Sequence, residues 1–183
     1  MLFRSDQLRP DAAEAIAALR HQGLTVEILS GDLTGPVGRA AATLGIGDWR
    51  AGLTPEQKAG AIDDLIAQGR TVLMVGDGLN DTAALARAHA AMAPGTALDA
   101  SQNAADLVFS GARLGAVPDA IQVARAARRR ALENFGFSAL YNLAAAPMAM
   151  LGLVNPLVAA LAMSGSSLIV TLNALRMHGE GRR

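Results

Sequence analysis

The sequence predicts an α/β fold, an open sheet unit followed by a two-helix transmembrane hairpin. Three observations lead there. The apolar, partly β-branched run Thr71 to Val75 reads as a buried strand and passes straight into Gly76-Asp77-Gly78-Leu79-Asn80-Asp81. Before and after it, short apolar strands alternate with helix-like segments. Finally, the forty-one residues from Phe135 to Leu175 contain no Asp, Glu, Lys, Arg or His.

Composition sets the bounds. A chain of 183 residues has room for one ordinary domain, or for a small domain and something else. It is 51% hydrophobic and 17% charged, with nearly every charge placed before Phe135, as expected for a soluble part joined to a membrane part. The formal net charge of zero suggests no nucleic-acid partner. The absence of cysteine removes disulfides and thiolate metal sites together. No basic start leads into an apolar core, so no cleavable secretory signal is expected, and the opening Met-Leu-Phe-Arg-Ser-Asp reads like the middle of a domain.

Taken in order, Arg9-Pro10-Asp11 opens a helix with Ile16 and Leu19 on its apolar side and Gly23 as its stop. Thr25 to Leu29 is a short strand ending in Ser30-Gly31-Asp32. Pro36 to Leu44 reads as a helix closed by Gly45, and Trp49 to Ala51 as an edge strand. Thr54 starts the next helix, running to Gln68, with Pro55 at its first position and Gln57 as capping-box partner. After the central motif, Thr82 to Ala90 is expected as a helix, Ala91 to Ala93 and Leu107 to Phe109 as strands, and Ala97 to Ala105 as the helix between them. His89 has no ligand-like partner and is taken as structural. Ala112 to Arg130 is a long helical stretch ending in three arginines.

The strand that ends at Asp77 points at a site, because ligands in open α/β sheets bind beyond the carboxyl ends of the strands. Gly76 and Gly78 allow a sharp turn and close approach, and Asp77 and Asp81 are spaced to face one hard cation across it, Mg²⁺ with a phosphate being the natural guest. The plainer alternative is an Asp-Gly turn followed by an Asp N-cap. Lys58 is the only lysine beside fifteen arginines, which suggests a place needing a compact ammonium rather than a planar fork; chance in an arginine-biased composition is the alternative.

Gly76 to Asp81 after an apolar strand resembles the metal-binding signature of P-type ATPases within the haloacid-dehalogenase superfamily. The run from Ala88 to Phe109 resembles the end of the phosphorylation domain of heavy-metal pumps, most of all the branch tied to cytochrome-oxidase assembly. The resemblance implies a haloacid-dehalogenase-like, Rossmann-type unit over 1–115, a connecting helix over 116–134, transmembrane helices over 135–154 and 156–175, and a cytoplasmic tail over 176–183. It further implies that Ser30 and its neighbouring amide bind the transferred phosphoryl group, with Gly31, Asp32 and Asn80 at that edge. Lys58 would neutralise the phosphoryl oxygens, and Asp77 and Asp81 would hold Mg²⁺. The family spelling has proline where this chain has Ala83.

Phe135 to Val154 and Pro156 to Leu175 each match the roughly 20 residues needed to cross a bilayer core. Arg128 to Arg130 precede the pair and Arg176, Arg182 and Arg183 follow it, which puts both ends in the cytoplasm of an inner membrane. A buried two-helix core of a soluble protein is the alternative. Met163 and Ser167, one turn apart, offer a thioether and a hydroxyl to one point, which suits Cu(I); ordinary helix packing is the alternative.

Tyr141-Asn142 followed by Met163, Ser166-Ser167 and Asn173-Ala-Leu-Arg resembles the last two helices of copper-transporting heavy-metal ATPases. The lysine and aspartate of zinc-type relatives and the His-Glu-Gly-Gly-Thr of cobalt-type relatives are missing. The resemblance thus implies Cu⁺ as transported ion, with Tyr141, Asn142, Met163 and Ser167 as its ligands. ATP would be the substrate and Mg²⁺ the cofactor; the lipid bilayer, the rest of the pump and a metallochaperone would be the partners. The chain holds no Asp-Lys-Thr-Gly-Thr motif and no Cys-Pro-Cys, so alone it is expected to be inactive. The competing readings are a catalytically inert membrane-anchored partner, a pump for another transition metal, and an independent dehalogenase-type phosphatase.

Overall fold

The computed structural model describes residues 8–110, 113–153 and 155–175, and divides the chain into a compact unit Met1–Pro118 and a second, Asp119–Arg183. The tail arginines Arg176, Arg182 and Arg183 lie outside the described residues.

In the first unit, helix α1 (Ala12–His21) leads to strand β1 (Glu27–Leu29), helix α2 (Thr34–Leu44) and strand β2 (Asp48–Arg50). Helix α3 (Pro55–Ala67), strand β3 (Leu73–Val75), a 3-10 turn (Leu79–Asp81) and helix α4 (Thr82–Leu85) follow. Strand β4 (Ala90–Pro94), helix α5 (Asp99–Ala104) and strand β5 (Leu107–Phe109) complete it. All strand pairs are parallel, as helical crossovers require. They form two ladders, β1-β2 with Ile28 opposite Trp49, and β3-β4-β5 with Met74 opposite Ala91 and Ala93 opposite Val108.

Ile62, Met74, Ala84, Leu85 and Ala91 form the core under the second ladder, and Leu29, Ile66 and Val72 pack against it. The residue before Ser30 is therefore anchored on the same core that carries β3.

Several boundaries differ from expectation for identifiable reasons. Helix α2 begins at Thr34 rather than Pro36, with Pro36 inside the first turn, where a missing N–H leaves no intrahelical bond unmade. It ends at Gly45, whose φ of +64° is the left-handed cap conformation. Helix α4 stops at Leu85 rather than Ala90. The following residues are drawn onto β3, since the His89 and Ala90 amides both donate to the Val72 carbonyl, at 3.1 and 3.2 Å, and the Val72 amide donates to His89 Nδ1 at 3.3 Å. His89 thus accepts the Val72 amide beside β3.

The second unit contains most of helix α6 (Ala116–Met150) and helix α7 (Pro156–Leu175). The expected connecting helix and first span are one continuous helix, with Pro147 in its last turn. It ends at Met150 rather than Val154, so its uncharged part from Phe135 is only about 24 Å long against the ~30 Å of a bilayer core. Among the described residues, no helix is long and apolar enough to cross a membrane. The two helices meet where Asn173 Nδ2 donates to Asn134 Oδ1 at 2.7 Å. Half-buried Asn134, Ser138 and Tyr141 mark one face of α6, and half-buried Ser166, Val170 and Asn173 one face of α7.

Candidate functional site

Strand β3 delivers the chain to Gly76, whose amide still donates to Met92 O of β4 at 3.2 Å. Beyond it the backbone turns over the Asp81 side chain. A Cβ on Gly76 would fall 2.7 Å from the Asp81 Cβ, so only glycine fits. The Gly78 amide donates to Asp81 Oδ2 at 3.2 Å, and the Asp81 amide donates to Gly78 O at 2.9 Å. Ser101, fully buried on α5, donates its hydroxyl to the same Gly78 carbonyl at 2.7 Å. The Asp-Gly loop is thereby held from both sides.

Lys58 comes from the first turn of α3. That turn is set by the expected capping box, in which the Gln57 amide donates to Thr54 Oγ1 at 3.3 Å and the Thr54 amide donates to Gln57 Oε1 at 2.9 Å. Lys58 is 7% exposed, and a buried ammonium requires a partner. Nζ finds it in Asp81 Oδ1 at 2.7 Å.

Both Asp81 oxygens are thus engaged, one by Lys58 and one by the Gly78 amide. Asp77 differs: its side chain is 65% exposed, and Arg9 Nη2 lies 3.6 Å from its Oδ2. Asn80 and Leu79 are exposed in the 3-10 turn beside it.

Ser30 and Asp32 form a tight local pair at the end of β1. The Ser30 hydroxyl donates to Asp32 Oδ2 and accepts from the Asp32 amide, both at 3.1 Å. The Ser30 amide donates to Arg50 O at 2.9 Å, and the Leu53 and Gly52 amides donate to Ser30 O and Asp32 O at 3.0 and 2.8 Å. Gly31 passes so close to this segment that a Cβ would meet Leu53 O at 3.2 Å.

The structure therefore joins Lys58 to Asp81 and, through the Gly76–Gly78 turn, to Asp77, while Ser30, Gly31 and Asp32 are built into a second strand end. Two residues were not anticipated. Ser101 gives no sequence signal beyond its helix, and Arg9 reads only as part of a helix start. On the second unit, Met163 is 71% exposed and Ser167 and Asn142 are exposed, while Tyr141 is half-buried. Met163 and Ser167 share a face of α7, and it is not the face that meets Asn134.

Among the described residues, no three His, Cys, Asp or Glu side chains converge as a ready-made metal centre. Mg²⁺ seldom needs one, since it usually takes one or two carboxylates and completes its octahedron with water and substrate phosphate. An exposed carboxylate at a strand end, beside a glycine turn and a fixed ammonium, fits that requirement.

Comparison with known proteins agrees with this geometry. Residues 1–89 match the family model of haloacid dehalogenase-like hydrolases. The nitrogen fixation protein FixI of Rhizobium leguminosarum bv. viciae is 51% identical over 181 residues, covering 99% of this chain and 24% of that protein. The copper-exporting P-type ATPase of Mycobacterium tuberculosis is 41% identical over 178 residues, covering 97% and 23%. The crystal structure of a zinc-transporting PIB-type ATPase in its E2.Pi state superposes with a TM-score of 0.88 at 33% identity, covering 93% of this chain and 28% of that one. The chain spans about a quarter of the length of the curated relatives it matches.

Proposed function

We propose, from the premise that this chain belongs to the heavy-metal P-type ATPases, that it forms the C-terminal part of an ATP-driven Cu(I) exporter working through an aspartyl-phosphate intermediate. The observation that carries the catalytic half of this reading is the buried Lys58–Asp81 pair beside the exposed carboxylate of Asp77.

In that reading Asp77 would be the protein ligand of Mg²⁺, which supplies charge neutralisation to the phosphoryl group. Asp81 holds Lys58 and the Gly78 amide in place instead of acting as an equal ligand. The Lys58 ammonium faces the phosphoryl oxygens, and Ser30 with its neighbouring amide binds them from the other strand end, with Gly31, Asp32 and Asn80 at the rim. The attacking aspartate is supplied by the remainder of the pump. Catalysis by this set is therefore positioning and electrostatic stabilisation, without a covalent step on this chain.

The transport half rests on the second unit. A run of forty-one residues without Asp, Glu, Lys, Arg or His supports a membrane hairpin over 135–154 and 156–175. Leu140, Leu143, Leu151, Leu157 and Leu161, each at least 66% exposed, would face lipid or the missing helices. The lack of any carboxylate in that run favours a soft monovalent ion over a hard divalent one. Tyr141, Asn142, Met163 and Ser167 would contribute to its path once other helices cover the exposed face of α7.

The test restores the upstream sequence and follows phosphorylation from ATP. Asp77→Asn should abolish phosphoenzyme turnover, and Met163→Ala should raise the Cu(I) concentration needed to stimulate it. Undiminished turnover in Asp77→Asn defeats the catalytic assignment. Failure of the full chain to float with liposomes defeats the membrane assignment independently.

A further inference from the structure

We infer that Arg9 is a positioning residue, an internal counter-ion for Asp77, and that with Asp11 it couples cation binding at that carboxylate to the first turn of α6. The inference rests on the reading of Asp77 as the Mg²⁺ ligand.

Arg9 Nη2 lies 3.6 Å from Asp77 Oδ2, on the group that a cation would approach. Two residues further on, Asp11 occupies the N-cap position of α1 yet makes no side-chain cap bond to that helix. Its carboxylate reaches across 104 positions of sequence instead and accepts the Gly115 amide at 2.9 Å, immediately before α6. At the other end of α1, Gln22 Nε2 donates to Pro118 O at 3.0 Å, inside the first turn of α6. Helix α1 is therefore fastened at both ends to the entrance of α6.

Pro10 separates Arg9 from Asp11, and its fixed φ shortens the slack between the two contacts. A divalent ion on Asp77 repels the guanidinium from its place. The displaced Arg9 pulls on Asp11, and the bond to Gly115 loosens. Arg9 need not touch the phosphoryl group for this to happen.

The test uses the full chain in detergent with MgCl₂ as the probe, read by titration calorimetry and by amide hydrogen exchange of the peptide containing Gly115. Removing a competing surface cation from the ligand should tighten Mg²⁺ binding roughly two- to fivefold in Arg9→Ala, with Arg9→Lys close to wild type. In the wild type, Mg²⁺ should speed exchange at Gly115. Exchange should be insensitive to Mg²⁺ in Arg9→Ala and fast throughout in Asp11→Ala, which lacks the acceptor for the Gly115 amide. Arg9→Gln gives the same reading should Arg9→Ala not fold. Mg²⁺ binding that Arg9→Ala leaves unaltered, or exchange at Gly115 that ignores Mg²⁺ in the wild type, overturns the inference alone. Absence of Mg²⁺ binding to the wild type overturns the assignment of Asp77, and this inference with it.

Discussion

The Lys58 ammonium sits 2.7 Å from Asp81 Oδ1, with the two side chains only 9% and 13% exposed. Two charges this far out of water depend on one another, because either alone would be a buried, uncompensated ion. Lys58→Ala is expected to lower unfolding free energy by about 3 kcal/mol. The double variant Lys58→Met with Asp81→Asn should be much less damaging than the two single losses added together. Urea unfolding followed by the emission of Trp49, the chain's sole tryptophan, reads both. Additive losses would mean that the pair is not coupled.

Ser101 tests the loop from below. Its fully buried hydroxyl holds the Gly78 carbonyl at 2.7 Å, and Ser101→Ala leaves that carbonyl with the Asp81 amide as its remaining donor. A cost of about 1 to 2 kcal/mol is expected, together with weaker Mg²⁺ binding, since the turn presenting Asp77 loses one of its two fixings. Unchanged stability and unchanged Mg²⁺ titration would show that the Asp81 contacts alone hold the turn.

The cap of α3 gives a pH prediction. The backbone amide at Glu56, and after it the Thr54 hydroxyl, hold the Glu56 carboxyl below its usual range. A depressed folded-state pKa contributes stability that is present above the ordinary glutamate value and lost as pH falls through it and on through the lowered one. Thr54→Ala should cost about 1 kcal/mol at neutral pH. It should also flatten the acid limb of the stability profile, because part of what protonation would remove is already gone. A variant whose profile runs parallel to wild type down to acid pH contradicts this assignment.

What could be read from sequence was local. The Thr54 and Gln57 cap and the strand Leu107–Phe109 are written in neighbouring residues, and both are found where expected. The length of α4 was not legible, because Val72 draws His89 and Ala90 onto β3 from seventeen or more positions away, a contact that no helical periodicity announces. The same holds for the division of labour between Asp77 and Asp81. Four positions apart in one motif, they look equivalent until the fold brings Lys58 to one and Arg9 to the other. Met163 and Ser167 do share a helix face, but which way that face points depends on the packing of Asn173 against Asn134.

Because Lys58 is the chain's single lysine and its Nζ is tucked against Asp81, the protein carries its own chemical footprint of the site. An amine-acylating reagent has one side-chain target, and that target is reached only when Nζ parts from the Asp81 carboxylate. The rate at which a single acyl group appears at residue 58 therefore counts openings of the Lys58–Asp81 pair, with no need for a tag, a spectroscopic probe or a substrate.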